Sequence, residues 1–359
     1  MTANSTTHIK HTSLLIGGAL LGLLHTGLAN ASGYPVTVQS CDRQVTFEQA
    51  PKAAVSNDVN LTEMMLALGL QDHMVGFTGV SGWKTLDPVL RDGIGELPEL
   101  SPKYPSKEVL LGADADFYFA GWNYGMRVGG GVTPNILAPL GIKVYELTES
   151  CIQIMDKPKV SMDDLYVDLL NLGRIFDKEE KAQALVKGYQ QDLANFQDNL
   201  KPLKTAPKVF VYDSGEEQPF TSGRFGMPTA LIEAAGGRNI VDDVQKSWTQ
   251  IGWEAVIDRS PEVIVIVNYG DVTAEQKINF QKNHDLGTGF LNRNAFESRL
   301  NHKLLSQRRL TDSSFAVVHI GFTNGRRIQA RYGYNALDQV LVEYRKRIDS
   351  ISDIEVLTA

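Results

Sequence analysis

The sequence predicts an α/β protein of two lobes with mostly parallel sheets, joined by one long α-helix, and three observations carry that prediction. The stretch PSKEVLLGADADFYFAGWNY, Pro105 to Tyr124, recurs in altered form 146 residues later as GWEAVIDRSPEVIVIVNYG, Gly252 to Gly270. In each copy a glutamate (Glu108, Glu254) opens an apolar helical turn, an acidic residue (Asp116, Glu262) follows eight positions on, and an apolar run ends in polar and aromatic residues. Runs as apolar as FYFAG and VIVIV suit strands covered on both faces, as in parallel sheets flanked by helices. Any α/β protein repeats helix–strand units, so a second pairing matters. Pro51-Lys52 leads into AAVSND and a helix ending LALGL, while Pro207-Lys208 leads into VFVYDSG and, after an insertion, a helix ending EAAGG. Two different units in the same order in both halves point to duplication. Between the halves, SMDDLYVDLLNLGRIF (Ser161 to Phe176) and DKEEKAQALVKGYQQDLANFQDNL (Asp177 to Leu200) have helical spacing, with Ala184, Leu185, Tyr189, Leu193 and Phe196 on one stripe of the second. At 1.5 Å per residue the second helix would reach roughly 36 Å, enough for a stiff strut between lobes. No extended strands stand in for a flexible hinge, which predicts limited opening and closing.

At the N-terminus, His8, Lys10 and His11 precede the apolar run Leu14 to Leu28 and the small-residue site Ala29-Asn30-Ala31. This pattern is that of a secretory signal over residues 1–31, with the mature chain starting at Ser32. The run is too short and too glycine-interrupted for a comfortable membrane span, and no cysteine sits at the cleavage point to take a lipid. The remaining organisation is a first lobe over residues 32–160, a helical connector over 161–205 and a second lobe over 206–359. With 359 residues at 43% hydrophobic composition the chain can fill two cores, and 42 acidic against 35 basic residues argue against a nucleic-acid partner. Cys41 and Cys151 are the only cysteines. An oxidising compartment would pair them, the alternative being two separate buried thiols, and an exported chain favours the disulfide.

In the first lobe, VTVQSCDRQVTF opens as a strand-like segment, AAVSND ends in Ser56-Asn57-Asp58, and a helix is expected over Asn60 to Leu68 with Asn60 and Glu63 as its cap. The strand MVGF gives way to a loop from Thr78 to Lys84, and the first repeat copy to a glycine-rich loop from Gly125 to Gly131. In the second lobe, KVFVYD leads to the polar and aromatic loop SGEEQPFTSGRFGMP and a helix, Thr229 to Ala235, closed by Gly236-Gly237. From Gln281 to Ser313 the expected pattern is lost; Phe315 to Ile320 then reads as a last strand and Asn335 to Ile348 as a final helix.

These residues resemble the substrate-binding proteins of ABC importers for ferric siderophores, haem and vitamin B12, over roughly Val36 to Phe280. The likeness rests on the two E-x7-[DE] units, the YELTESC segment, and VFVYDSGEEQPFTSGRFGMPTALIEAAGGRNIVDDV followed by SWTQIGWEAVIDRSPEVIVIVNYGDVT, and it is nearest to the iron-siderophore branch. The tail departs from the family, which carries a strand, a Thr-Pro-Gly turn and a helix there; Thr323-Asn324-Gly325 matches only in part. The resemblance implies Rossmann-like lobes joined by a single helix (a class III periplasmic binding protein), a periplasmic location, and an inner-membrane ABC permease as partner. It also implies that one surface glutamate from each lobe, here Glu108 and Glu254, docks onto permease arginines, a pairing that permits two charge-assisted hydrogen bonds in fixed geometry. A glutamate in that place also favours a helix N-terminus, a role compatible with docking.

Ligands of open α/β sheets sit beyond the carboxyl ends of the strands. The strand ends here offer Asn57 and Asp58, Thr78 to Trp83, Trp122-Asn123-Tyr124 through Arg127, Asp213 to Glu217, Phe220, Arg224 and Tyr269. Trp122, Tyr124, Phe220, Phe225 and Tyr269 would form aromatic walls for a large, partly apolar chelate, with Arg127 and Arg224 on its carboxylates or phenolates. Phe225 suits a core equally well, and Trp83 equally suits anchoring its own loop. Of the histidines beyond the signal, His73, His284, His302 and His319, none stands at the spacing of a local metal-ligand pair. No metal site or cofactor is therefore expected, and iron would arrive only inside an organic chelator. Asp213, Glu216 and Glu217 could serve as general acid and base, yet no nucleophile elbow, phosphate loop or metal motif accompanies them. The expected function is capture of a ferric siderophore by a monomer that delivers it to the permease. Haem or corrinoid binding, a secreted hydrolase and a sensor protein are the alternatives.

Overall fold

The computed structural model describes residues 33–82, 88–200, 205–216, 218–268 and 272–283, together with 292, 295, 339–343 and 346. The expected signal, Trp83, Glu217, Tyr269, the strand 315–320 and most of the final helix lie outside the described residues.

An antiparallel hairpin opens the first lobe, β1 (Val36–Ser40) and β2 (Arg43–Phe47), and its alternation turns Val38, Val45 and Phe47 into the core. There follow β3 (Ala54–Asn57), α1 (Val59–Ala67), β4 (Met74–Thr78), α2 (Pro88–Ile94), β5 (Glu99–Ser101), α3 (Lys107–Gly112), β6 (Phe117–Trp122), β7 (Gly125–Met126), α4 (Pro134–Leu137) and β8 (Lys143–Glu146). The strands form a parallel sheet in the order β5-β4-β3-β6, with both β7 and β8 paired to β6. Every residue of β3 and β6 is buried, the polar Ser56 and Asn57 of β3 included. The cap of α1 is Asp58, whose carboxylate accepts the Val59 N–H at 2.7 Å, rather than the expected Asn60. Asp58 follows the strand directly, so its side chain meets the first exposed helical N–H groups.

The connector comprises α5 (Met162–Ile175) and α6 (Glu179–Asn199). A capping box between Ser161 and Asp164 starts α5. The two helices approach closely where a Cβ on Gly173 would stand 2.4 Å from that of Ala182. Near its start α6 contributes Ala182 and Val186 to the first lobe's core, and near its end Gln197 Nε2 donates to the Ala234 carbonyl of the second lobe at 2.9 Å. This single helix of 21 residues, about 31 Å long, thus runs from one lobe to the other. The stripe of Tyr189, Leu193 and Phe196 does not enter a core, because the buried positions lie one step around the helix; it faces the space between the lobes.

The second lobe contains β9 (Lys208–Tyr212), β10 (Phe220–Ser222), α7 (Met227–Ala234), β11 (Arg238–Asn239), β12 (Trp248–Gln250), α8 (Trp253–Arg259), β13 (Val263–Ile266) and α9 (Ala274–Asn283). Its parallel sheet has the order β11-β9-β13, and β10 pairs antiparallel with β12. The arrangement repeats β4-β3-β6: the lobe's first sheet strand lies in the middle, the next on one side and a later one on the other. The repeated acids do the same work in both lobes. Asp116 accepts the N–H groups of Lys52 (2.8 Å) and Ala53 (3.0 Å) while its own N–H donates to the Ala53 carbonyl. Glu262 accepts the N–H of Lys208 (3.2 Å) and donates to that residue's carbonyl. Each acid ties the start of the strand that follows it to the start of the lobe's first sheet strand. The lobes differ in cover, since Val263, Ile264 and Val265 of β13 are 45%, 52% and 45% exposed, against the buried strand its composition leads one to expect. The chain after 283 is almost wholly outside the described residues.

Cys41, in the turn of the first hairpin, is joined to Cys151 by a disulfide across 110 residues. Beside it Glu146 is fully buried and satisfied, accepting from Arg43 Nη2 (2.6 Å), Ser40 Oγ (2.8 Å) and Trp122 Nε1 (2.9 Å).

Candidate ligand cleft

A cavity of about 1490 Å³ opens between the lobes at the carboxyl ends of their strands. In the first lobe the Asn57 amide organises the rim: its oxygen accepts the N–H groups of Asp58 and Gly125, each at 3.1 Å, and its nitrogen donates to Thr78 Oγ1 at 2.9 Å. Position 125 requires glycine, because its φ is +100° and a Cβ would stand 2.5 Å from the Tyr118 hydroxyl. The turn before it holds Asn123 at φ +67°, with its N–H on the Met126 carbonyl at 2.7 Å, and presents Tyr124 to the cleft. Tyr104 donates to the Asn123 carbonyl and lines the same wall.

The facing wall comes from the β10–β12 hairpin. Phe220 and Trp248 are diagonal neighbours across that pair and stack with ring centroids 5.5 Å apart and planes 16° from parallel. Trp248 Nε1 donates to the Tyr124 hydroxyl at 2.9 Å, which in turn donates to Glu149 Oε1 at 2.7 Å. Glu149 is only 4% exposed, and burial pushes its carboxyl up to about 7, with Asp168 and Asp164 adding to the rise and the Tyr124 bond opposing it. Burial, and then the neighbouring Glu149, drives the Tyr124 hydroxyl well above the ordinary tyrosine range, so it remains a protonated donor. Asp213, at the end of β9, is 4% exposed, lines the cavity and accepts from Ser214 Oγ at 2.8 Å.

Of the residues expected at the site, Asp58, Asn123, Tyr124, Asp213 and Phe220 line this cavity. Trp122 does not: it packs in the first lobe's core with its indole N–H on Glu146. Arg127 is exposed and lies over the Tyr104 ring at 5.4 Å, and Arg224 donates Nε to the Pro158 carbonyl at 3.3 Å; neither lines the cavity. Phe225 belongs to a core with Val160 and Ala230. Tyr104, Glu149, Lys246 and Trp248 line the cavity without having been singled out beforehand. Glu149 and Trp248 did lie within the YELTESC and SWTQ segments of the family resemblance, whereas nothing marked Tyr104. Among the described residues no group of three or more His, Cys, Asp or Glu side chains is placed to hold a metal ion.

Away from the cleft, Glu108 and Glu254 occupy the same place in their helices, the second position of α3 after Ser106 and of α8 after Gly252. Both are exposed, and the Ser106 hydroxyl holds the Glu108 carboxyl below its ordinary range.

Two lobes with parallel sheets, a connecting helix and a cleft at the strand ends define a protein that captures a small-molecule guest. Residues 55–288, well over half of the chain, match the family described as periplasmic binding protein, and the chain belongs to that family. It is 25% identical over 260 residues to an uncharacterised ABC transporter substrate-binding lipoprotein of Bacillus subtilis, covering 70% of this chain and 77% of that one. It is 24% identical over 235 residues to a vitamin B12-binding protein of Pectobacterium atrosepticum, covering 64% and 77% of the two chains. Among solved structures, a periplasmic binding protein from Veillonella parvula superposes with a TM-score of 0.56 at 28% identity, covering 69% of this chain and 81% of that one. These similarities make the protein a substrate-binding protein of the ABC-importer class. A second match, to the family described as diguanylate cyclase, GGDEF domain, spans residues 282–356 and begins where the expected pattern of the second lobe was lost. No helix among the described residues is long and apolar enough to cross a membrane.

Proposed function

We propose that this protein captures a ferric siderophore between its lobes in the periplasm and delivers it to an ABC permease of the inner membrane. The observation that carries the proposal is the cavity of about 1490 Å³ walled by Tyr104, Tyr124, Phe220 and Trp248. Its volume exceeds the roughly 300–1,000 Å³ of ordinary small-molecule pockets, which suits a bulky chelate, and aromatic faces bury the apolar shell of such a guest. Glu108 and Glu254, one exposed carboxylate per lobe at matching helix positions, are the proposed docking points, able to report the spacing and tilt of the lobes to a partner. In this reading residues 1–31 are a secretory signal.

Titrating the protein with candidate complexes while following tryptophan fluorescence tests capture, because Trp248 lies in the wall. Saturable quenching by a ferric siderophore supports the proposal; no response to any siderophore, haem or corrinoid contradicts it. A corrinoid guest is a second reading, favoured by the vitamin B12-binding relative. A sensor is a third, favoured by the match at residues 282–356, and formation of a cyclic dinucleotide from GTP by the full chain would support it.

A further inference from the structure

We infer that Tyr124 and Trp248 read hydrogen-bond polarity across the cleft, so that the guest places between them a group that both donates and accepts, a secondary amide or a hydroxyl. The inference rests on reading the cleft as the ligand site, and both residues line it from different lobes. The Tyr124 hydroxyl donates its one hydrogen to Glu149 Oε1 at 2.7 Å, which leaves its oxygen able only to accept on the cleft side. Glu149 is 4% exposed, and among the described residues Tyr124 is the only donor to its side chain, so turning the phenol away would strand a buried carboxyl group. The commitment holds in either charge state: a carboxylate accepts, and a neutral carboxyl group still offers its carbonyl oxygen. Opposite, Trp248 Nε1 can only donate, and its ring is held in direction by the stack on Phe220 and by the β10–β12 pairing.

In the structure the two side chains satisfy each other at 2.9 Å. A guest seated between the rings parts an acceptor on the first lobe from a donor on the second, and a closed cleft gives neither of them water. A carboxylate, an ester or a fully methylated amide in that place satisfies the indole and strands the phenol. An ammonium group satisfies the phenol and strands the indole. A secondary amide or a hydroxyl satisfies both, with its N–H or O–H on Tyr124 and its oxygen on Trp248. The trans amide is the better fit of the two, because its N–H and C=O point in opposite directions, as two facing walls require. A stranded buried group costs more than a made bond gains, so the pair selects by rejection and separates guests of equal charge.

The test measures dissociation constants of the full chain for two matched pairs of uncharged guests. One pair is ferric tris(acetohydroxamate), whose ligands carry N–H, and ferric tris(N-methylacetohydroxamate), whose ligands do not. The other is cyanocobalamin, with amide N–H groups, and dicyanocobyrinic acid heptamethyl ester, with esters in their place. In whichever pair binds, the N–H member is expected to bind roughly tenfold or more tightly than its partner. Tyr124→Phe removes the acceptor and should bring that ratio close to unity. Glu149→Leu lets the phenol hydrogen turn into the cleft and should lower the ratio likewise, whereas Glu149→Gln keeps a carbonyl oxygen for the phenol and should hold it within about twofold of the parent. A merely structural role for Glu149 would not separate leucine from glutamine in this ratio, and should Glu149→Leu fail to fold, Tyr124→Phe decides. Equal binding within a pair, or a ratio that Tyr124→Phe leaves unaltered, overturns the inference while leaving capture intact. Binding of none of the four overturns capture and the inference with it.

Discussion

Tyr124 and Trp248 meet across the cleft, the indole N–H of Trp248 donating to the Tyr124 hydroxyl at 2.9 Å. They come from different lobes, one on the turn after β6 and the other on β12, so a directional bond holds the two walls in register. A double-mutant cycle with Tyr124→Phe and Trp248→Phe isolates it, since phenylalanine at 248 keeps a ring against Phe220 but removes the donor. The expected coupling in urea unfolding is about 0.5–1.5 kcal/mol, and Tyr124→Phe alone should cost about 1–3 kcal/mol because it strips a buried Glu149 of its donor. Additive single effects would mean that the bond does not form in solution.

Glu149 gives stability a pH dependence of definite sign. Its carboxyl is raised from 4.5 to about 7 in the folded protein, so the unfolded chain is the stronger acid. Stability from this group is fully present below the unfolded value and is lost as pH rises through about 7. Asp168, raised from 3.8 to about 7 by burial, acts in the same direction. Glu149→Gln removes the ionisation, so its unfolding free energy relative to the parent should climb between about pH 4.5 and 7, by an amount on the order of 3 kcal/mol, and stay constant above pH 8. A difference that does not change with pH would contradict the burial of a titrating Glu149.

Breaking the Cys41–Cys151 bridge tests what fastens the opening hairpin. Closing a loop of 110 residues limits the unfolded chain by about 4–5 kcal/mol in the chain-entropy view. The Cys41→Ser, Cys151→Ser double variant is expected to unfold at markedly lower urea and to match the reduced parent, while the Arg43–Glu146 pair keeps the hairpin attached in the folded state. Equal stability of parent and variant would show the bridge to be dispensable.

For the docking points, Glu108→Ala and Glu254→Ala separately and together should leave guest affinity within about twofold, since neither lines the cavity, and should reduce uptake in cells, the pair more than either alone. Transport at the parental rate by the double variant would remove the proposed role; lost affinity would place these residues at the guest.

The duplication was legible because it leaves matched chemistry at a fixed spacing: Asp116 and Glu262 each bond the backbone of the central strand, as an acid eight positions after each glutamate suggested. Topology likewise put Asp58, Tyr124, Asp213 and Phe220 in the cleft wall, because strand ends converge there whatever the side chains do. What failed was direction. Trp122 stands at a strand end yet turns inward, since the buried Glu146, 24 residues away, claims its indole N–H. Arg127 and Arg224 found an aromatic face and a carbonyl instead of the cavity. Trp248 escaped notice because its strand has three residues, too few to show a period. The apolar run of β13 pointed to burial on both faces, and its first three residues are exposed instead.

Native mass spectrometry of the full chain purified from its own host under iron limitation tests the central claim most directly. The account predicts one guest per chain, released on unfolding, with the isotope pattern of a metal chelate. A chain that arrives empty and gains no mass from any ferric siderophore, corrinoid or haem offered to it would contradict capture in the cleft.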